Sequence, residues 1–329
     1  MSARRVTLVS AGDRVLVAVP ETLEALVAEA RATFSLASDV QVALELEASS
    51  GRLTSLNAVR DGDVLRVRTQ RAAGTRPDKY SKAEWELRVQ LAACYRIMGR
   101  FGWAELIYNH TSVRVDEDDG STSFLLNAFG LRYDEITASS LIKVDLDGNV
   151  IDAGDSAYGF NQAGFVIHSA IHAARADVQC AMHNHTEAGT AVSTLACGVL
   201  PITQNALIAG RIAYHDFQGT AVDVAERQSL AEDLGGADCL VLRNHGLLVV
   251  GRSIPDAFYR MYNLDKACQI QTMALGAAGG DPAKIVTPPA DVQRRTTEIT
   301  SAFNPEGFGV KEFAALVRHE VATDPSFRE

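Results

Sequence analysis

Two histidines stand one residue apart in the stretch CAMHNHTEAGTAV, Cys180 to Val192. In extended backbone, residues i and i+2 project to one face, so the rings of His183 and His185 can reach a common point. An ion held there needs a third ligand, and His245 in RNHGLL is the best candidate. It sits where an apolar run ends, and Gly246 after it permits a sharp turn close to a neighbouring backbone. Three imidazoles with a fourth position open is the donor set of a catalytic metal site rather than a closed structural one. Imidazole alone does not select the metal, and an HxH pair also arises by chance. His168 and His172, four apart in VIHSAIH, share one helical face. That spacing suits a second metal in principle, but histidines hydrogen-bonded within a core are the commoner case.

The elements that must position these rings are legible around them. Ala181-Met182 reads as the end of a buried strand, and the small residues after His185 as the start of a helix. CLVLRNHGLLVVG reads as two apolar strands around a Gly-containing turn, FVIHSAIHAARADV as a helix, and SLIKVDLDGNVI as a hairpin about Asp147-Gly148. SKAEWELRVQLAACYRIMGRFGW opens with Ser81 and Glu84 in capping-box spacing and predicts a largely buried helix. The mixture points to a sheet flanked by helices.

Ahead of this lies a segment with its own pattern. RRVTLVSA and RVLVAVP read as strands about Gly12-Asp13, and Leu23, Leu26, Val27, Ala30 and Phe34 form one helical stripe. VQVALELE, the turn SSGRL and the alternating VRDGDVLRVR complete the segment. Residues 1–69 resemble a β-grasp, ubiquitin-like module, without the terminal Gly-Gly of a conjugation or sulfur-carrier role. Such a module packs or docks a protein partner. The polar stretch at 70–80, with Gly74 and Pro77, reads as a linker, and 81–329 as the second domain.

Composition narrows the function classes. The 329 residues are 47% apolar, and 41 acidic against 31 basic side chains give a net charge of −10. The excess of acid argues against non-specific nucleic-acid binding. No apolar run approaches the ~18 residues of a membrane span, and charge interrupts the N-terminal run too early for a signal peptide. Five scattered cysteines without a CxxC pair read as thiols of a reducing compartment, so a cytoplasmic location is expected.

Four motifs in order, IYNHTSVRV, FLLNAFGLRYDEITASSLIKVDLDGNV, MHNHTEAGTAVSTL and LRNHGLLVVG, resemble the class II aldolase/adducin family. The likeness runs from about Ser81 to the C-terminus and lies closer to the adducin branch than to the aldolases. It implies a three-layer α/β/α sandwich, a homotetramer, and a divalent metal, commonly zinc, on His183, His185 and His245, with Fe2+ or Mn2+ as alternatives. In the sugar-phosphate aldolases of this family a Glu ahead of the HxH pair accepts the substrate proton, and the residue matching it here is Gly164. The phosphate-gripping serines are matched by Gln162 and Ala163, and the phosphate loop by Asn127 to Gly130, which carries no hydroxyl. A phosphorylated sugar is therefore not expected.

By the same resemblance, Asn109, His110, Asn127 and Gly130 are candidate substrate-binding positions, with Asn109 alternatively bracing its loop. Glu187 and Tyr214 are candidate acid/base groups. Glu187 equally suits a helix N-terminus on dipole grounds, and Tyr214, beside His215 and Asp216, equally suits a surface turn. The expectation is a metal-dependent lyase cleaving a carbon–carbon bond in a small non-phosphorylated oxygenated substrate. The alternatives are a non-heme iron oxygenase using the same histidines and a catalytically silent adducin-like scaffold.

Overall fold

The computed structural model of the chain describes residues 5–10, 13–34, 40–46, 51–52, 57, 59–71, 76–117, 119–219, 226–302 and 309–329. Gly12, the turn residues Ser49 and Ser50, and linker residues 72–75 lie outside them. The chain divides into two units, one of Met1–Tyr80 with Arg328–Glu329 and one of Ser81–Phe327.

In the first unit, alternating apolar residues make strands β1 (Arg5–Ser10) and β2 (Asp13–Ala18), followed by helix α1 (Leu23–Thr33). Strands β3 (Val40–Leu46), β4 (Gly51–Arg52) and β5 (Val64–Arg71) complete it. The sheet order is β2-β1-β5-β3-β4, with β1 and β5 parallel at its centre. Thr22 caps α1 by accepting the Ala25 N–H at 3.1 Å, satisfying a donor that has no partner within the helix. Leu26 and Ala30 of α1 are fully buried and pack with Val6, Leu8, Leu44 and Leu65.

The second unit opens with helix α2 (Lys82–Arg100) and strands β6 (His110–Asp116), β7 (Thr122–Leu126), β8 (Ile142–Asp145) and β9 (Val150–Asp152). Helix α3 (Gln162–Ala174) leads to β10 (Cys180–Asn184), α4 (Glu187–Ser193), α5 (Gln204–Ile208) and β11 (Ile212–His215). Helix α6 (Glu226–Leu234), β12 (Cys239–Leu242), β13 (Gly246–Gly251), α7 (Ile254–Ala277), α8 (Ala290–Ala302) and α9 (Val310–Thr323) follow. The strands form one sheet in the order β11-β12-β13-β10-β6-β7-β8-β9, parallel only between β11 and β12.

Period-two alternation sorts this sheet into two cores. Cys180, Met182, Val241, Leu247 and Val249 face the layer of α2, α7 and α9. Ala181, Leu240, Leu242, Leu248 and Val250 face Ile167 and Ile171 of α3 and Leu230 and Leu234 of α6. Helices thus cover both faces, giving a three-layer α/β/α sandwich.

The capping box at the start of α2 is half formed. Ser81 Oγ accepts the Glu84 N–H at 3.0 Å, but the Glu84 carboxylate turns inward to Arg88 Nε at 2.8 Å and Lys143 Nζ at 3.0 Å. Arg88 is fully buried, and a buried cation without a paired anion costs more than an unreciprocated cap.

Candidate metal centre

His183 lies on β10, paired with Leu248 of β13 on one side and His110 of β6 on the other. Its Nδ1 donates to the Leu247 carbonyl at 2.9 Å, which leaves the Nε2 lone pair facing away from the backbone. His185 follows the last residue of β10. Its Nδ1 donates to Glu105 Oε2 at 2.5 Å, fixing the same tautomer. His245 stands in the β12–β13 turn, after Asn244 at a positive φ of 57°. A Cβ on Gly246 would sit 2.5 Å from the Asn184 carbonyl oxygen and 3.0 Å from His185 Cδ2. Only glycine lets that turn close onto the end of β10.

The three rings converge through one kind of atom. His185 Nε2 is 2.7 Å from His183 Nε2 and 2.9 Å from His245 Nε2. With both Nδ1 atoms donating, the Nε2 atoms of His183 and His185 face each other as lone pairs, an arrangement that a cation between them relieves. A tetrahedral zinc with bonds of about 2.0–2.1 Å spaces its nitrogens by about 3.3 Å, a few tenths of an ångström more than these separations. Burial first, and then the neighbouring imidazoles, hold His183 well below the usual histidine range. The same causes, in the same order, push His245 down to about 4. Neutral imidazole is the form that binds metal. Residue types, tautomers and convergence all fit a divalent ion.

A cavity of about 240 Å³ borders the triad, with Tyr108, His110, Asn161, Ala163, Ile167, Phe217 and Gly219 completing its wall. It is small against the roughly 300–1,000 Å³ of drug-sized ligand sites. No lysine or arginine lines it among the described residues.

A profile of the class II aldolase and adducin N-terminal domain matches residues 89–272. The chain belongs to the class II aldolase and adducin family. Alpha-adducin of Rattus norvegicus is 42% identical over 281 residues, covering 83% of this chain and 36% of that protein. The chain therefore spans about a third of the length of that adducin. The crystal structure of an aldolase II superfamily protein from Pseudomonas syringae shares 43% identity at a TM-score of 0.71, covering 77% of this chain and 98% of that one. An L-fuculose 1-phosphate aldolase from Glaciozyma antarctica shares 28% identity at a TM-score of 0.63, over 76% of this chain and 96% of that one.

Class II aldolases are metal-dependent lyases in general, often with zinc, whereas the adducins leave a non-catalytic scaffold equally within the family. Against that background the remaining candidate positions separate. His110 lies in the cavity wall, its Nδ1 2.7 Å from His168 Nε2. Asn109, its neighbour, donates to the Trp103 carbonyl and is buried, so it braces the loop. Asn127 Oδ1 accepts from Tyr95 Oη at 2.9 Å, and Gly130, at φ 145°, is covered by the Tyr158 ring. Neither is part of the cavity wall. Glu187 is exposed in the first turn of α4. Tyr214 Oη accepts the Val199 N–H at 3.0 Å, and its ring packs on the α2–α7 side of the sheet, opposite the triad. His215 Nδ1 pairs with Asp233 Oδ2 at 2.7 Å.

His168 and His172 are core histidines. His168 Nδ1 is 2.5 Å and His172 Nε2 2.8 Å from Ser112 Oγ. Glu105 was not singled out from the sequence. It lies eighty positions before its partner His185, in a loop without regular spacing. No helix among the described residues is long and apolar enough to cross a membrane.

Proposed function

We propose that this chain is a metal-dependent lyase that cleaves a carbon–carbon bond in a small, non-phosphorylated hydroxycarbonyl compound. The observation that carries the reading is the convergence of the His183, His185 and His245 Nε2 atoms at a cavity, with the opposite nitrogens of His183 and His185 engaged by Leu247 and Glu105. A divalent ion bound there, zinc by family habit, supplies Lewis acidity toward adjacent substrate oxygens. The protein's own part is to fix the tautomers and to admit a substrate of few atoms to a cavity of about 240 Å³. The lack of a cationic side chain in the described wall supports an unphosphorylated substrate, because phosphate recognition relies on Arg, Lys or clustered N–H donors. Assembly as a homotetramer in the cytoplasm belongs to the same proposal, as does a β-grasp role for the first unit in docking a protein partner.

A scaffold is the second reading, supported by the 42% identity to alpha-adducin and by Gly164 standing where the aldolases carry their proton-accepting Glu. Elemental analysis of the purified protein separates the two. About one zinc, iron or manganese per chain, lost in His183→Ala/His185→Ala, is the result expected of the enzyme. No metal, even after incubation with each ion, makes the scaffold the better reading.

A further inference from the structure

The lyase reading lacks a proton acceptor at position 164, and the structure offers one nearby. A Cβ on Gly164 would lie 2.6 Å from Cδ2 and 2.7 Å from Nε2 of His110. The imidazole of β6 therefore fills the space that a side chain on α3 would need. His110 borders the cavity, and its ring centroid is 5.0 Å from that of His183.

Behind His110 runs a buried chain of groups that each donate at one end and accept at the other. His110 Nδ1 meets His168 Nε2 at 2.7 Å, His168 Nδ1 meets Ser112 Oγ at 2.5 Å, and Ser112 Oγ meets His172 Nε2 at 2.8 Å. None of the four is more than 5% exposed. The three hydrogen bonds can run in either sense with the same count. In one sense His110 Nδ1 donates and Nε2 carries a lone pair. In the other, Nδ1 accepts and Nε2 carries the hydrogen. With every ring neutral, the two senses differ in the positions of the three shared hydrogens and in the end that carries a further one, His172 Nδ1 in the first and His110 Nε2 in the second. Either sense as it stands fixes one tautomer of His110.

We propose that His110 is the acid/base residue of this site for a C–H bond beside the carbonyl of a small hydroxyketone, with His168, Ser112 and His172 as positioning residues that set its tautomer. This inference rests on the lyase reading above. Nε2 takes the proton from carbon. The C–H electron pair becomes the carbon–carbon double bond of an enolate, and the carbonyl π pair moves to oxygen. The proton, or a solvent deuteron exchanged for it on His110, returns to the same carbon as those electrons move back. Burial opposes a standing imidazolium, so the proton is held only transiently.

The test uses the full chain loaded with its metal, and dihydroxyacetone in D2O as the probe, with deuterium incorporation read by proton NMR. His110→Gln is expected to lower exchange by about 100-fold or more while the metal content stays unchanged. Exchange at the wild-type rate in that variant overturns the role of His110 and leaves the lyase reading standing. Wild-type protein that holds its metal yet exchanges nothing overturns the lyase reading and this role with it. A second readout needs no turnover. In the metal-free protein, Ser112→Ala is expected to move the 15N shifts of the His110 ring nitrogens, because Ser112 Oγ hydrogen-bonds to His168 and His172, and His168 in turn to His110. Unmoved shifts overturn the relay, and this arm remains decisive if His110→Gln fails to fold.

Discussion

Glu105 reaches the site through one atom. Its carboxylate accepts from His185 Nδ1, which holds the ring with Nε2 turned toward His183 and His245. Carboxylate partners of this kind orient a ligating imidazole and raise its basicity, and their loss commonly weakens metal affinity by about 10–100-fold. Glu105→Ala should therefore lower metal affinity in that range, measured by competition with a chelator, and leave the thermal midpoint of the metal-free protein nearly unchanged. Unaltered affinity would reduce the contact to an incidental surface pair.

At the scale of elements, the triad depends on how tightly the β12–β13 turn closes on the end of β10. The strands pair from Cys180↔Gly251 to Asn184↔Leu247, so Gly246 arrives directly at the Asn184 carbonyl. The constraint there is steric: the obstacle is backbone, which yields less than a flexible side chain. Gly246→Ala should push His185 and the turn apart and destabilise the fold by about 1–3 kcal/mol, the usual cost of overpacking. It should also cut metal retention, so calorimetry with elemental analysis would expose either part of the argument if it failed.

For the molecule as a whole, the buried histidines of α3 link the sandwich to pH. Burial, and then the neighbouring His172, pushes His168 down to about 3 from an ordinary 6.5. Burial, and then the Arg114 guanidinium, pushes His172 down to about 3 as well. Between those values the unfolded chain binds protons that the folded protein refuses. Their stabilising contribution is thus complete above about pH 6.5 and is lost progressively as pH falls toward 3. The slope is about 1.4 kcal/mol per pH unit for each ring. Thermal melts of His168→Gln/His172→Gln across the acid range should show a shallower decline than the wild type. Parallel curves would mean that these rings titrate normally.

The sequence by itself determined the secondary elements around the site and the three histidines that converge there. Their signals are local: apolar alternation through CLVLRNHGLLVVG, the i and i+2 spacing of His183 and His185, and the glycine after His245. Four ordered motifs also placed the chain in its family. Only the tertiary structure decided which other groups meet the triad. Glu105 and His110 reach it from a loop and from β6, each more than seventy positions before the HxH pair, and spacing carries no information over that distance. The faces of the sheet decided the rest. Tyr214 and His215 are neighbours in sequence, but alternation sends Tyr214 to the α7 side, away from the histidines, and the hydrogen-bond accounting of a buried core ties Asn127 to Tyr95. His168 and His172, four apart on α3, are joined through Ser112 of β6, which stands between them.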